Sequence, residues 1–84
     1  MSVDALIARY VEEDPHRPGP AHARLTPWGT PVWALISYWQ QAVCGDLAQA
    51  AADYEISLEA AEASVAYYER NKAMIDARIL LNSA

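Results

Sequence analysis

The chain is predicted to be all-α: five helices and one irregular arm in a single small domain of 84 residues. Three observations predict it. Apolar residues recur at helical spacing in the segments outside 14–30. Capping and breaking residues stand between those segments. All five prolines and two of the three glycines crowd into residues 14–31, where no helix can run.

Residues 1–13 hold the first helix. Val3, Leu6, Ile7, Tyr10 and Val11 follow i, i+3, i+4, i+7, i+8, with Asp4, Arg9, Glu12 and Glu13 elsewhere on the cylinder. Ser2 is the expected N-cap and Asp14-Pro15 the stop. Residues 14–30 form an ordered arm or a linker, with an extended stretch at His22 to Trp28 that has room for a short strand. Thr30-Pro31 opens the second helix, with Thr30 as cap and Pro31 at the first helical position. Its inward stripe is Val32, Leu35, Ile36, Trp39 and Val43. Cys44-Gly45-Asp46 ends it, and Cys44, the sole cysteine, reads as a small core residue. Asp46 caps a short helix from Leu47 to about Tyr54, with Leu47, Ala50, Ala51 and Tyr54 inward and Gln49 as capping-box partner. Ser57 caps the next, which carries Leu58, Ala61, Val65 and Tyr68 on one face. The three helices of residues 31–70 make a trihelical unit. Asn71 breaks the chain before a last helix at 72–82, within a C-terminal segment of 71–84. There Met74, Ile75, Ile79, Leu80 and Leu81 cover more than half the circumference, too much for one face resting on a core, so the segment reads as an interface element.

Composition agrees with association. The chain is 54% apolar, with three Trp, five Tyr and no Phe, and a domain this small buries only about 60–65% of its unfolded surface. Part of the apolar surface is expected to close against a second copy, as a dimer, or another chain. The net charge is −5, and between Arg24 and Arg70 there is no Lys or Arg while six acids occur: Asp46, Asp53, Glu55, Glu59, Glu62 and Glu69. Such a surface repels phosphate. The start of the chain lacks the basic and apolar run of a signal peptide, and Val32 to Ile36 is too short to span a bilayer, so a cytoplasmic protein is expected.

Residues able to carry chemistry are few. His16 and His22 lie in the arm at no standard zinc spacing and read as exposed loop histidines. Gly19, Gly29 and Gly45 stand alone, and no serine sits in an elbow motif. No enzyme, cofactor or metal is expected, although a site shared between subunits stays open. Trp28, Trp33, Tyr38 and Trp39 form an aromatic concentration. Trp33 lies off the inward stripe, so either the arm covers it or it meets a partner. Tyr67-Tyr68 divides into an inward Tyr68 and a rim Tyr67.

The ordered landmarks Gly29-Thr30-Pro31-Val32-Trp33-Ala34-Leu35-Ile36, Gly45-Asp46, Ala52-Asp53-Tyr54, Ala66-Tyr67-Tyr68 and Ile75-Asp76 resemble the bacterial family catalogued as domain of unknown function 433. The resemblance covers roughly the last two-thirds of the chain, and its specificity lies in the order of the motifs. It implies a homeodomain-like helix-turn-helix in the trihelical unit, a VapB-like antitoxin role, and a PIN-like ribonuclease toxin as partner, with DNA autoregulation by the complex. Two features depart from that pattern. The family's basic residue between the Gly-Thr and Pro-Val pairs is missing. The helix that would enter the major groove begins Leu58-Glu59-Ala60-Ala61-Glu62, where Arg, Lys, Asn or Gln are usual.

The expected partner surface is Trp33, Tyr67, Arg70, Met74, Ile75, Arg78, Ile79 and Leu80, with Met74, Ile75, Ile79 and Leu80 as apolar anchor. Arg70, Arg78 or Arg24 would reach the acidic metal site of the nuclease, as the resemblance implies. The competing readings are a dimeric helix-turn-helix transcription regulator and a self-associating structural module.

Overall fold

The computed structural model describes residues 2–83. Helices α1 (Val3–Tyr10), α2 (Val32–Gln41), α3 (Leu47–Asp53), α4 (Leu58–Arg70) and α5 (Lys72–Ser83) are joined by a small antiparallel sheet of β1 (Val11–Glu12), β2 (Arg24–Leu25) and β3 (Thr30–Pro31), in the order β1-β2-β3. The architecture is therefore mixed, and the all-α expectation is corrected. The arm is the reason. It contributes the central strand and packs Ala23 and Leu25, both at 0% exposure, into the hydrophobic core.

Helix α1 begins as expected, with the Ser2 hydroxyl accepting from the Ala5 N–H. It stops three residues earlier than its periodicity suggested, because Val11 turns extended and pairs with Leu25 while Glu12 pairs with Arg24. A β-branched residue at the helix end favours that exit. The Thr26 N–H then reaches the Tyr10 carbonyl at 2.8 Å, Gly29 (φ 80°) closes the loop onto the Leu25 carbonyl at 2.7 Å, and Leu25 pairs with Thr30.

Thr30 and Pro31 belong to that sheet, so Thr30 is not the cap of α2. The first helical N–H, from Val32, is satisfied at 3.0 Å by the carbonyl of Ala23, and tertiary pairing does what a capping side chain does elsewhere. Val32, Leu35 and Ile36 are fully buried. The helix ends at Gln41, and Cys44 (φ 51°) with Gly45 (φ 87°) forms a left-handed turn closed by the Gly45 N–H on the Trp39 carbonyl. Cys44 is consequently exposed, against the core role expected of it.

Asp46 caps α3 through the Gln49 N–H at 3.1 Å. The Gln49 side chain bonds Asp53 at 2.7 Å and does not complete the capping box. At the far end Glu55 adopts φ 57°. Its N–H bonds the Ala52 carbonyl and that of Ile56 bonds Ala51, a Schellman closure in which a glutamate occupies the left-handed position that glycine fills at least cost.

Helix α4, capped by Ser57 on the Ala60 N–H, is the axle of the fold and packs against each of the other four helices. It buries Ala60, Ala61, Ala63, Ser64 and Tyr68. Small side chains over this much of a helix let its neighbours approach closely. Leu58, expected inward, is 48% exposed, because the buried arc centres on Ala60 and Ser64. The Ser64 hydroxyl is wholly buried and has no hydrogen-bond partner among the described residues. Two ion pairs hold α1 antiparallel to α4: Asp4 with Arg70 at one end and Arg9 with Glu59, at 3.8 Å, at the other. Both are exposed and individually weak. No described helix is long and apolar enough to cross a membrane.

Three substitutions test this reading by denaturant titration. Leu25→Ala is expected to cost about 3 kcal/mol, the penalty for emptying a packed leucine site; a cost near zero would return the arm to the status of a linker. Glu55→Gly should stabilise the chain by about 1 kcal/mol by relieving the left-handed residue. Ser64→Ala should also stabilise, by about 1 kcal/mol, since it removes an unsatisfied buried hydroxyl.

Candidate protein-interaction surface

Helix α5 carries two apolar faces. Ile75 and Ile79 are buried in the domain's own core at 0% and 9% exposure. At 100° per residue, the opposite side is made of Ala73, Met74, Ala77, Leu80 and Leu81. All five are exposed, Leu80 at 71% and Leu81 at 73%. This accounts for the breadth of the apolar pattern: one stripe holds the helix to its domain and the other faces solvent. Beside the outer stripe runs a groove of about 410 Å³ between α5 and the one-turn 3-10 helix Pro20–His22, lined by Ala21, His22, Met74, Ala77, Arg78 and Leu81. The arm thus supplies one wall of the surface.

The structure divides the expected partner residues into three groups. Met74 and Leu80 are presented to solvent, joined by Leu81, already part of the apolar pattern expected of the interface helix, and by Ala73 and Ala77, which that pattern did not include. Their half-turn offset from Ile75 and Ile79, at 3.6 residues per turn, was the available signal. Ile75 and Ile79 serve the internal core. Trp33, Tyr67, Arg70 and Arg78 sit within local contacts. Trp33 is half-buried, and the Arg78 guanidinium of α5 lies over it, 4.4 Å from the ring centroid. Tyr67 packs half-buried against the core, and burial, reinforced by the negative charge of Glu13, pushes its phenol above the ordinary tyrosine value. Arg70 is held by Asp4 and Arg24 by Glu12, the latter at 3.0 Å. Of the three arginines considered for reaching a partner, Arg78 alone makes no ion pair among the described residues.

The polar chemistry elsewhere is structural in character. Tyr68 donates to Asp76 at 2.6 Å and accepts from Gln40 at 3.4 Å, tying α2, α4 and α5 together. Its pKa is raised chiefly by burial and further by the Asp76 carboxylate. Tyr38 donates to Asp53 at 2.6 Å, and that hydrogen bond raises its pKa. Asp14 accepts from the His16 backbone N–H at 2.9 Å, which lowers its carboxyl pKa. No group of three or more His, Cys, Asp or Glu side chains converges among the described residues. Trp28, 41% exposed, stacks on Tyr10 with ring centroids 6.3 Å apart.

Fold and surface together define a small helix-rich domain with an outward apolar face on its last helix. Searches of protein-family models, of curated proteins and of solved structures find no match to the chain.

The tyrosines make a pH prediction. A phenol whose folded pKa lies above its unfolded value of about 10 contributes stability that is complete below that value and is lost as pH rises through the folded pKa. Denaturation midpoints should therefore fall on the alkaline side of pH 10, and Tyr68→Phe should make that fall shallower. An unchanged alkaline profile in Tyr68→Phe would refute the contribution of Tyr68.

Proposed function

We propose that the chain is an antitoxin-like protein-binding module that grips a partner polypeptide with the outer face of α5 and masks a PIN-like ribonuclease. The observation that carries the binding reading is the solvent-facing stripe of Met74, Leu80 and Leu81 directly opposite the core-facing Ile75 and Ile79. An apolar helix face adjoining an open groove is how amphipathic partner segments are commonly received. The identity of the partner rests on the family resemblance. Charge supports it: an acid-rich domain complements the basic surface that an RNA-cleaving enzyme needs, and such complementarity speeds association.

Binding to DNA by the isolated domain is disfavoured by the surroundings of α4. The helix is enclosed by its neighbours over most of its circumference, and its exposed residues are Leu58, Glu62, Glu69 and Arg70, the last paired with Asp4. Carboxylates there repel the phosphate backbone and offer base edges no donor, being able only to accept, as from the cytosine N4 amine.

Co-expression with a PIN-like ribonuclease encoded beside this chain tests the proposal. Co-purification and suppressed RNA cleavage are expected. Met74→Glu and Leu81→Glu, both at exposed positions, should each weaken the complex by about 10-fold or more while leaving the melting temperature of the isolated chain within a few degrees. A complex insensitive to both substitutions would place the interface elsewhere. A mobility shift of duplex DNA by the isolated chain at physiological salt would contradict the reading of α4.

A further inference from the structure

A second concavity lies away from the α5 stripe. It is a cleft of about 360 Å³ along α2, lined by Trp33, Tyr38, Tyr54, Gln41 and Asn82 among others. Tyr38 and Tyr54 pack at 60° with centroids 5.2 Å apart. Arg78 occupies one side of Trp33, and no arm residue lines the cleft. At its rim Asp53 accepts from Tyr38 and from Gln49. A carboxylate has about four acceptor positions, so Asp53 retains capacity for a further donor.

Aromatic and amide side chains lining one cleft suit proline. Its ring is rigid and apolar, it lacks an N–H, and the carbonyls of its segment need donors. An acid at the rim adds a preference for a cation. The chain itself contains such a ligand. Residues 15–18 of the arm, Pro15-His16-Arg17-Pro18, are all exposed. Asp14 organises this tip: its carbonyl accepts from the Arg17 N–H at 3.1 Å and its carboxylate from the His16 N–H. The tip is further anchored by the Gly19 N–H on Glu13 at 2.7 Å. Arg17 makes no ion pair among the described residues. A preorganised, proline-flanked cation loses little freedom when it docks.

We propose that the aromatic cleft receives the arm tip of a second copy of the chain. Two molecules then exchange tips about a two-fold axis, and Arg17 of each pairs with Asp53 of the other. Both contacts are equivalent, so the assembly closes as a dimer. The exchange uses none of Met74, Leu80 or Leu81, and it stands or falls independently of the ribonuclease reading.

Light scattering and sedimentation of the full chain over a concentration series test the exchange. A concentration-dependent dimer is expected. Arg17→Glu and Asp53→Lys should each raise its dissociation constant by about 10-fold or more. An equimolar mixture of the two variants should recover association, because the mixed pair juxtaposes Arg17 with Asp53 in one contact and Glu with Lys in the other. Circular dichroism checks that the Asp53 variant retains its helices. Pro18→Ser, at an exposed position outside the helices, must weaken the dimer as well. A chain that stays monomeric at every concentration overturns the proposal. A dimer indifferent to Arg17→Glu and Pro18→Ser, or single defects that the mixture does not repair, overturns it equally.

Discussion

The fold depends on the insertion of a proline-rich segment into a helical core. Ala23 and Leu25 are buried completely, and the Ala23 carbonyl takes the first N–H of α2. Through this one stretch the end of α1 becomes a strand, α2 gains its start, and the 3-10 turn Pro20–His22 comes to rest beside α5. A leucine at the centre of a three-stranded sheet contributes on the order of 2 kcal/mol by burial, and in a domain of this size that is a substantial share of the margin. The arm is therefore a structural element and also one wall of the groove along α5.

Charge is arranged so that the acid-rich body is partly neutralised from within. Although residues 25–69 contain no lysine or arginine, Arg9 approaches Glu59 from α1, so the trihelical unit is not without a cationic counterweight; Arg70 and Arg24 are paired with Asp4 and Glu12. These contacts orient α1 along α4 and tie the arm to β1. They also decide which cations remain outside ion pairs among the described arginines: Arg78, resting on Trp33, and Arg17, at the tip of the arm. The two proposed interactions use different parts of the surface for that reason, one centred on α5 and one joining the arm to the aromatic cleft.

Helix α5 illustrates how an overly broad apolar pattern is resolved. Met74, Ile75, Ile79, Leu80 and Leu81 cannot all face one neighbour, and that much is legible in the sequence. Which of them serve the core depends on the direction in which α5 leaves Asn71, whose side chain bonds the Tyr67 carbonyl. That direction points Ile75 and Ile79 inward. Tyr67, read as a rim position, and Trp33, read as covered by the arm or by a partner, both lie half-buried, Trp33 beneath an arginine from a helix forty-five residues further along the chain.

Local chemistry was sufficient for the five helices, for the caps at Ser2, Asp46 and Ser57, and for the buried stripe of Val32, Leu35 and Ile36, because each rests on side chains within a turn or two of one another. A short strand within His22 to Trp28 was also legible, and β2 lies there; its pairing with β1 and β3, the true start of α2, the exposure of Cys44 and the two-faced use of α5 were settled only by tertiary structure. A strand of two residues has no periodicity to read, and its hydrogen bonds join Val11, Leu25 and Thr30 across the chain. Such pairing is decided by what the rest of the fold brings alongside, and no local pattern encodes it.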